Sequence, residues 1–360
     1  LRRQRQMCIR DSAGIMGLTL AWHCLNLGAS VRVIDPNGVA NGASGGIVGA
    51  LAPHVPENWN TKKQFQLESL LYSQHFWQAV DEVSGLNSGY RRSGRLQPLM
   101  DDAGVTLARR RKESAKDLWK NFASWEVISS SKEWQLSSPT GLWVFDNLSA
   151  LIHPRLACLS LAEALRKKGC EVVTNGKNQG KVIWATGVHD LDRISHQLEK
   201  DFGNGVKGQA ALFKLKKPKS VQLFAETLHF IPHSDGTIAV GSTSERNYEE
   251  VGTTDNNLEN LILKASKILP ELKGKDPIFT WANVRPRTNS RAPILGKHPL
   301  FPNEFIMNGG FKIGLGMAPQ MGKVLSEFLL LDRDNLPAEF LPTVCFVSYT
   351  HLTLPTKRIV

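Results

Sequence analysis

Apolar and polar positions alternate with two different periods along this chain. From Gly14 to Leu27 the apolar residues Met16, Leu20 and Leu27, widened by Ile15, Leu18, Trp22 and Leu25, fall on one side of a 3.6-residue helix that Gly28 stops. Val31 to Ile34 then reads as a buried strand. A longer amphipathic helix is predicted from Thr61 to Val83, with Phe65, Leu70, Trp77 and Val80 turned inward. Residues 86–144 carry short strand-like pieces, Arg95 to Pro98 and Leu142 to Phe145, around a basic helix from Leu107 to Phe122. A helix from Arg155 to Lys168, a strand from Glu171 to Val173 and the apolar run Lys181 to Gly187 restore the α/β alternation.

From Gly208 to Ser242 the period falls to two. Gln209 to Lys214, Val221 to Glu226, His229 to Pro232 and Thr237 to Gly241 read as short antiparallel strands separated by turn residues. A helix from Leu258 to Leu269 stops at Pro270. The chain returns with the strand-like Trp281 to Arg287, a strand from Glu304 to Met307, the pair Gly309-Gly310, and a closing helix from Met317 to Leu331. The expected class is α/β, a parallel-sheet domain with an antiparallel-sheet domain interleaved in sequence.

Composition narrows this picture. At 360 residues the chain can bury a large core, most simply as two connected domains. Hydrophobic content of 41% and charged content of 21% describe a soluble globular protein. No apolar run is long enough to span a bilayer and the N-terminus has no apolar signal core, so a cytoplasmic location is the expectation. The first dozen residues, LRRQRQMCIRDS, carry four arginines and almost no apolar alternation, and are not expected to supply a buried central strand. Both ends, 1–12 and 347–360, resemble translated sequencing-adapter sequence and are set aside from fold reasoning. Of the net charge of +11, residues 1–12 contribute +3 and residues 347–360 contribute +2, which leaves +6. That balance suits an anionic substrate as well as an RNA partner. The cluster Arg109, Arg110, Arg111 and Lys112 reads as a solvated helix face rather than a phosphate site. Five cysteines without CxxC spacing fit buried thiols in a reducing compartment, and no metal site is expected.

The candidate chemistry begins at Ser12-Ala13-Gly14-Ile15-Met16-Gly17. Glycines here allow a tight turn to bring backbone N–H groups against a pyrophosphate, and the helix they open points its positive end at the same group. Asp35 ends the next strand, where a carboxylate would accept the ribose hydroxyls of an adenosine. Ser12 stands where GxGxxG has its first glycine, so a glycine-capped helix of another α/β protein remains the alternative on this segment alone. The small-residue loop from Asn37 to Gly49 leads into Ala50-Leu51-Ala52-Pro53-His54 and reads as a close approach of backbone to a ligand. No Ser/His/Asp constellation is apparent.

Taken in order, five blocks resemble the FAD-dependent amine oxidoreductases of the D-amino acid oxidase family. Within it they are similar to glycine oxidases and to the FAD domain of the enzyme that makes methylaminomethyl-uridine in tRNA. The blocks are AGIMG with Asp35, NGASGGIVGALAP, VIWATG, HFIPHSDGTIAVGSTSE, and WANVRPRTNSRAPILG followed by NGGFKIGLGMAP. The resemblance implies a Rossmann-like FAD-binding domain from 13–60, 145–207 and 280–335, and a substrate domain from 61–144 and 208–279. It implies that Gly14, Ile15, Met16, Gly17, Asp35 and Val173 hold the dinucleotide. Ala43, Ser44, Gly45 and Gly46 would run along it, Ala185, Thr186 and Gly187 would pack on it, and Gly309, Gly310, Ile313, Gly314 and Met317 would lie beside the isoalloxazine. It implies that Arg285 forks onto a substrate carboxylate, with Lys312, His229 and His54 as further candidate site residues and Arg287 and Arg291 behind them. The implied reaction removes a hydride from a small amino acid or N-substituted glycine, leaving an imine that hydrolyses. Oxygen or a quinone would take the electrons. A modified uridine in tRNA is the alternative substrate and non-catalytic flavin binding the alternative class. The stretch between Val173 and Val182 is shorter than the family usually has.

Overall fold

Two large sheets divide the work in the computed structural model, which describes residues 6–10, 12–129, 133–134, 136–217 and 220–346. The first has six strands in the order Ile294–Lys297, Phe305–Asn308, Lys181–Trp184, Gln6–Arg10, Ser30–Ile34 and Glu171–Val173. All pairs are parallel except the edge pair of Ile294–Lys297 with Phe305–Asn308. Helices Ile15–Asn26, Thr61–Ser84, Pro154–Lys167 and Gly314–Leu331 share one apolar core with this sheet, and the first of them packs on the last. Phe65, Leu70, Trp77 and Val80 all point into that core, as the helical period predicts.

The position of Gln6–Arg10 corrects the sequence reading. Residues 1–12 were expected to lie outside the sheet, yet this strand is at its centre, hydrogen-bonded in parallel to both neighbours. The physical reason is that a short central strand needs only its flanked residues to be apolar. Met7, Cys8 and Ile9 are 2%, 0% and 0% exposed. Arg10 sits at the strand's end, where its guanidinium donates to the Gly176 carbonyl (3.2 Å) and lies 6.0 Å from the Trp184 ring. Counting arginines over twelve residues hid a three-residue apolar core. The other residues set aside at the two ends, 1–5, 11 and 347–360, lie outside the described residues.

The second sheet has eight strands in the order Phe279–Thr288, Gly203–Lys214, Thr237–Gly241, Leu228–Pro232, Gln222–Ala225, Arg95–Pro98, Trp143–Asp146 and Trp125–Ile128. Helix Asn256–Ile268 closes one face over Ala211, Phe213, Phe230, Ile238 and Val240. The opposite face looks toward the loops of the parallel sheet, with Ile47 and Leu151 packed on Ala210, Ile231 and Ala239. The strand that carries Arg285, reckoned with the cofactor unit in the sequence, is hydrogen-bonded along its whole length into this second sheet. A two-stranded ribbon of Gly49–Leu51 and Ala150–Ile152 lies beside them. The basic helix runs Asp102–Leu118, earlier than expected because Asp101 caps it by accepting from the Gly104 N–H (2.7 Å). In its basic cluster Arg111 is paired with Glu57 (2.6 Å) and Lys112 with Glu126 (2.8 Å), while Arg109 and Arg110 are exposed. Helix Val188–Leu198 has no counterpart in the sequence reading.

Candidate active site

The turn after the central strand opens helix Ile15–Asn26 with Gly14 as its N-cap and no side chain capping it. Its neighbourhood is pinned by backbone donors. The Ala13 N–H donates to Asp35 Oδ2 (2.8 Å), the Asn37 N–H to Asp35 Oδ1 (3.0 Å), and the Asp35 N–H to the Val173 carbonyl (3.0 Å). The Ile15 N–H donates to Ser44 Oγ (3.0 Å), which ties the short turn Ala43–Gly45 to the start of the helix. Ser12 turns its hydroxyl back to the Arg10 carbonyl and is buried, so it replaces a glycine without projecting into the turn's mouth.

Close approach explains the later glycines. A Cβ on Gly310 would lie 2.5 Å from Met16 Cε and one on Gly314 3.5 Å from it, so 14–17 and 309–317 meet at Met16. The Ala185 N–H donates to the Arg10 carbonyl (3.4 Å), and the Gly187 carbonyl accepts from Asn308 Nδ2 (2.8 Å). Helix Gly314–Leu331, N-capped by Ile313, also starts on a residue that makes no side-chain cap bond, and Met317 in its first turn is buried. Thr186 Oγ1 is buried with no hydrogen-bond partner among the described residues. Two helix starts whose N-cap residues offer no side chain, the first already bonded to Ser44 Oγ, gather with a carboxylate and an unused buried hydroxyl at one end of a parallel sheet. That donor set fits a diphosphate flanked by a ribose and a ring system, which is the chemistry of FAD.

Register decides what faces this cradle. Antiparallel partners share a sheet face, and every second residue returns to it. Arg285 pairs with Val206, Asn283 with Gly208, Trp281 with Ala210, Ala210 with Gly241, Gly241 with His229, and His229 with Phe224. All of these side chains share one face. It is the face toward the small-residue loop, because a Cβ on Gly241 would be 3.0 Å from Val48 Cγ2 and one on Gly46 3.5 Å from the Trp281 ring. Gly208, Ala210 and Gly241 make a low floor, with Arg285, Trp281 and His229 standing around it.

Electrostatics single out the two cations. Arg285 is half-buried, its Nη2 donates to Ser242 Oγ (2.8 Å) and its Nη1 to the Thr243 carbonyl (3.4 Å), and it lies 5.7 Å from the Trp281 ring. Desolvation pulls its pKa down to about 10, against a weaker upward pull from Glu245. Lys312 keeps part of its side chain exposed, and its pKa is lowered first by desolvation and then by the charge of Arg285. Neither forms an ion pair among the described residues. His229 is pulled down to about 3 by burial, then by Arg95 and Lys312, and its Nδ1 has no hydrogen-bond partner among the described residues. Its ring lies 4.6 Å from Phe224. The loop holding Lys312 is joined to the arginine strand by a hydrogen bond from the Phe311 N–H to the Pro286 carbonyl (3.0 Å).

His54 Nδ1 is bonded to Gln66 Oε1 (2.5 Å), which also accepts from the His54 N–H (2.7 Å), and the charges that reach it are Lys62 and Lys63. Arg287 lies 5.8 Å from the Phe311 ring, and the Arg291 carbonyl accepts from Lys62 (3.4 Å). Ser242, Gly208 and Phe224 were not singled out in the sequence. The one available signal was a glycine inside a strand, which marks a place where something approaches the backbone.

A parallel sheet with a dinucleotide turn, set against an antiparallel sheet whose Arg285 forms no ion pair among the described residues, has the architecture of a flavin-type oxidoreductase. The chain belongs to the FAD dependent oxidoreductase (DAO) family, whose profile matches residues 13–328. It is 33% identical over 142 residues to the glycine oxidase of Pseudomonas aeruginosa, a match covering 38% of either chain. To the glycine oxidase of Pseudomonas putida it is 26% identical over 88% of this chain and 92% of the other. The crystal structure of glycine oxidase from Geobacillus kaustophilus superposes with a TM-score of 0.80, 17% identity and coverage of 94% and 98% of the two chains, a likeness of fold. The fold class is mixed α/β with a Rossmann-like FAD-binding part, the cofactor is FAD, and the chain is an amine or amino acid oxidoreductase. Among the described residues no helix is long and apolar enough to cross a membrane.

Proposed function

We propose that this protein oxidises the C–N bond of a small amino acid or N-substituted glycine to an imine, with Arg285 gripping the substrate carboxylate beside Lys312. The observation that carries this reading is a pair of electrostatically coupled cations that form no ion pair among the described residues, the one acidic group that reaches Arg285, Glu245, being bonded to Gln209 and Thr243. An incoming carboxylate supplies the missing charge, and the planar guanidinium can meet it with two parallel bonds. FAD, when bound, supplies acceptance of the hydride. The chain's own residues do the rest. Trp281 and the Gly208–Ala210–Gly241 floor confine the substrate between the arginine and the small-residue loop. Arg285 and Lys312 lower the pKa of a nearby ammonium, which favours the neutral amine whose lone pair must drive hydride loss. His229, neutral throughout the working range, adds no third charge. Such a reaction asks for orientation more than for an acid or base.

The parallel sheet and its helices serve the cofactor in this reading, and the eight-stranded sheet serves the substrate. Oxygen or a quinone takes the electrons, in the cytoplasm. The test is anaerobic addition of glycine, sarcosine, D-amino acids and proline to the FAD-loaded protein, followed by the visible spectrum. Bleaching by at least one of them is expected, with kcat/KM falling about 10²- to 10³-fold in Arg285→Ala. A flavin that none of them bleaches would mean a non-catalytic binder. Turnover confined to tRNA with steep salt dependence would favour the modified-uridine alternative.

A further inference from the structure

Gly208 lies in the middle of strand Gly203–Lys214, directly across from Asn283 on the arginine strand. Its φ is outside the left-handed region, so no backbone demand explains a glycine there. Space does. A Cβ built on Gly208 would come well inside 3.0 Å of three atoms, and its three nearest neighbours all belong to one group: Nη1, Cζ and Nη2 of Arg285. The Nη1–Nη2 end of the guanidinium therefore fills the space where a Gly208 side chain would stand, and the bare Cα beneath it sets how far that end can advance.

The other edges of the guanidinium are fixed from the opposite face of the same strand. The Gln209 N–H donates to Thr243 Oγ1 (2.7 Å), and the Thr243 N–H donates to the Gln209 carbonyl (3.2 Å). Gln209 is fully buried, and its Nε2 donates to Glu245 (3.0 Å) and Asp255 (2.8 Å), while buried Lys207 reaches Asp255 (3.1 Å). This network holds Ser242 and Thr243, the two residues that accept from Arg285. One strand thus supplies both the seat and the brace.

We propose that Gly208 is the positioning residue for substrate recognition: the empty volume above its Cα sets the place and tilt of the Arg285 guanidinium, and any side chain there displaces the carboxylate grip. The inference rests on the reading of Arg285 given above. Because the atoms that a Cβ would meet are the far end of a flexible side chain, the displacement falls on the arginine rather than on the fold. A displacement of about 1 Å at a positioning group costs on the order of 10²-fold.

The test uses the FAD-loaded protein and titration with acetate and with benzoate as unreactive carboxylates, read from the perturbation of the flavin spectrum, alongside kcat and KM for the best amine. Gly208→Ala is expected to weaken carboxylate binding and raise KM by about 10- to 100-fold, leaving the FAD dissociation constant unchanged. In the Arg285→Ala background the same substitution is expected to add nothing, because the group it displaces is gone. If Arg285→Ala itself leaves carboxylate binding intact, the reading of Arg285 fails. If Arg285→Ala weakens binding but Gly208→Ala matches the parent, or adds its full loss in the double variant, the role of Gly208 is overturned and Arg285 stands. Should Gly208→Ala fold poorly, recovery of the parent melting temperature in Gly208→Ala/Arg285→Ala supports the proposed conflict, and failure to recover refutes it.

Discussion

A guanidinium held half out of water with no ion pair among the described residues works against the fold that keeps it. Desolvation has already drawn Arg285 down to about 10, and its charge in turn lowers the pKa of Lys312. Replacing Arg285 with methionine removes that burden, so the cofactor-free protein is expected to melt no lower than the parent, and higher if the strain is large. Differential scanning fluorimetry of the two apo-proteins checks this; a clear fall in Tm would mean the arginine is a structural brace. How far the site could be read from the chain divides along the same line. Arg285 was legible because Val-Arg-Pro sits at a recognisable place in an ordered set of blocks. Gly208 was not, since a glycine in a strand has no side chain to name its purpose, and only the register across to Asn283 shows what lies above it. His54 follows a suggestive turn, and its Nδ1 is bonded to Gln66 twelve residues on, a partnership that spacing does not announce.

Among the elements, the helices were the most legible because a 3.6-residue period repeated over three or more turns survives local noise. Short strands were less so. Gln6–Arg10 offers only three buried side chains among arginines, and Ala150–Ile152 and Gly49–Leu51 have three residues each. The central strand nevertheless holds the parallel sheet together, and Ile9, pressed between Val33 and Ile183, is fully buried. Ile9→Ala is expected to lower stability by about 2–5 kcal/mol, measured as a shift of the urea midpoint at unchanged m-value. A loss below half a kcal/mol would place this strand outside the cooperative core. The first and last helices are joined by a single polar contact in an apolar seam: His23 Nε2 meets the Pro319 carbonyl at 3.0 Å.

Across the whole molecule, buried histidines set the response to acid. Burial is the leading cause in each case: His23 and His153 are drawn down to about 4, His229 to about 3, and His233 is lowered. The unfolded chain binds protons at these groups below about pH 6.5 while the native chain leaves them neutral, so stability drops as pH falls from about 6.5 toward 4. For a group as buried as His23, 7% exposed, the slope is about 1.4 kcal/mol per pH unit in that window. Urea midpoints between pH 7 and 4.5 are expected to fall, and His23→Phe should flatten the decline even though it loses the bond to Pro319. A midpoint indifferent to pH over this interval would contradict it. FAD acts in the opposite sense: at a hundred times its dissociation constant it is expected to raise unfolding free energy by about 2.7 kcal/mol, read as a shift in the urea curve.

The loop from Gly309 to Gly314 touches Met16 on one side, and through Phe311 its backbone is bonded to Pro286, the neighbour of Arg285, on the other. A ligand that orders this loop from either direction readies it for the second arrival. Thermodynamic reciprocity then requires that acetate or benzoate tighten the hold on FAD by the same factor that FAD tightens the hold on them. Flavin released on dilution should slow when the acid is present, and a release rate indifferent to the acid would mean that the two occupancies are independent.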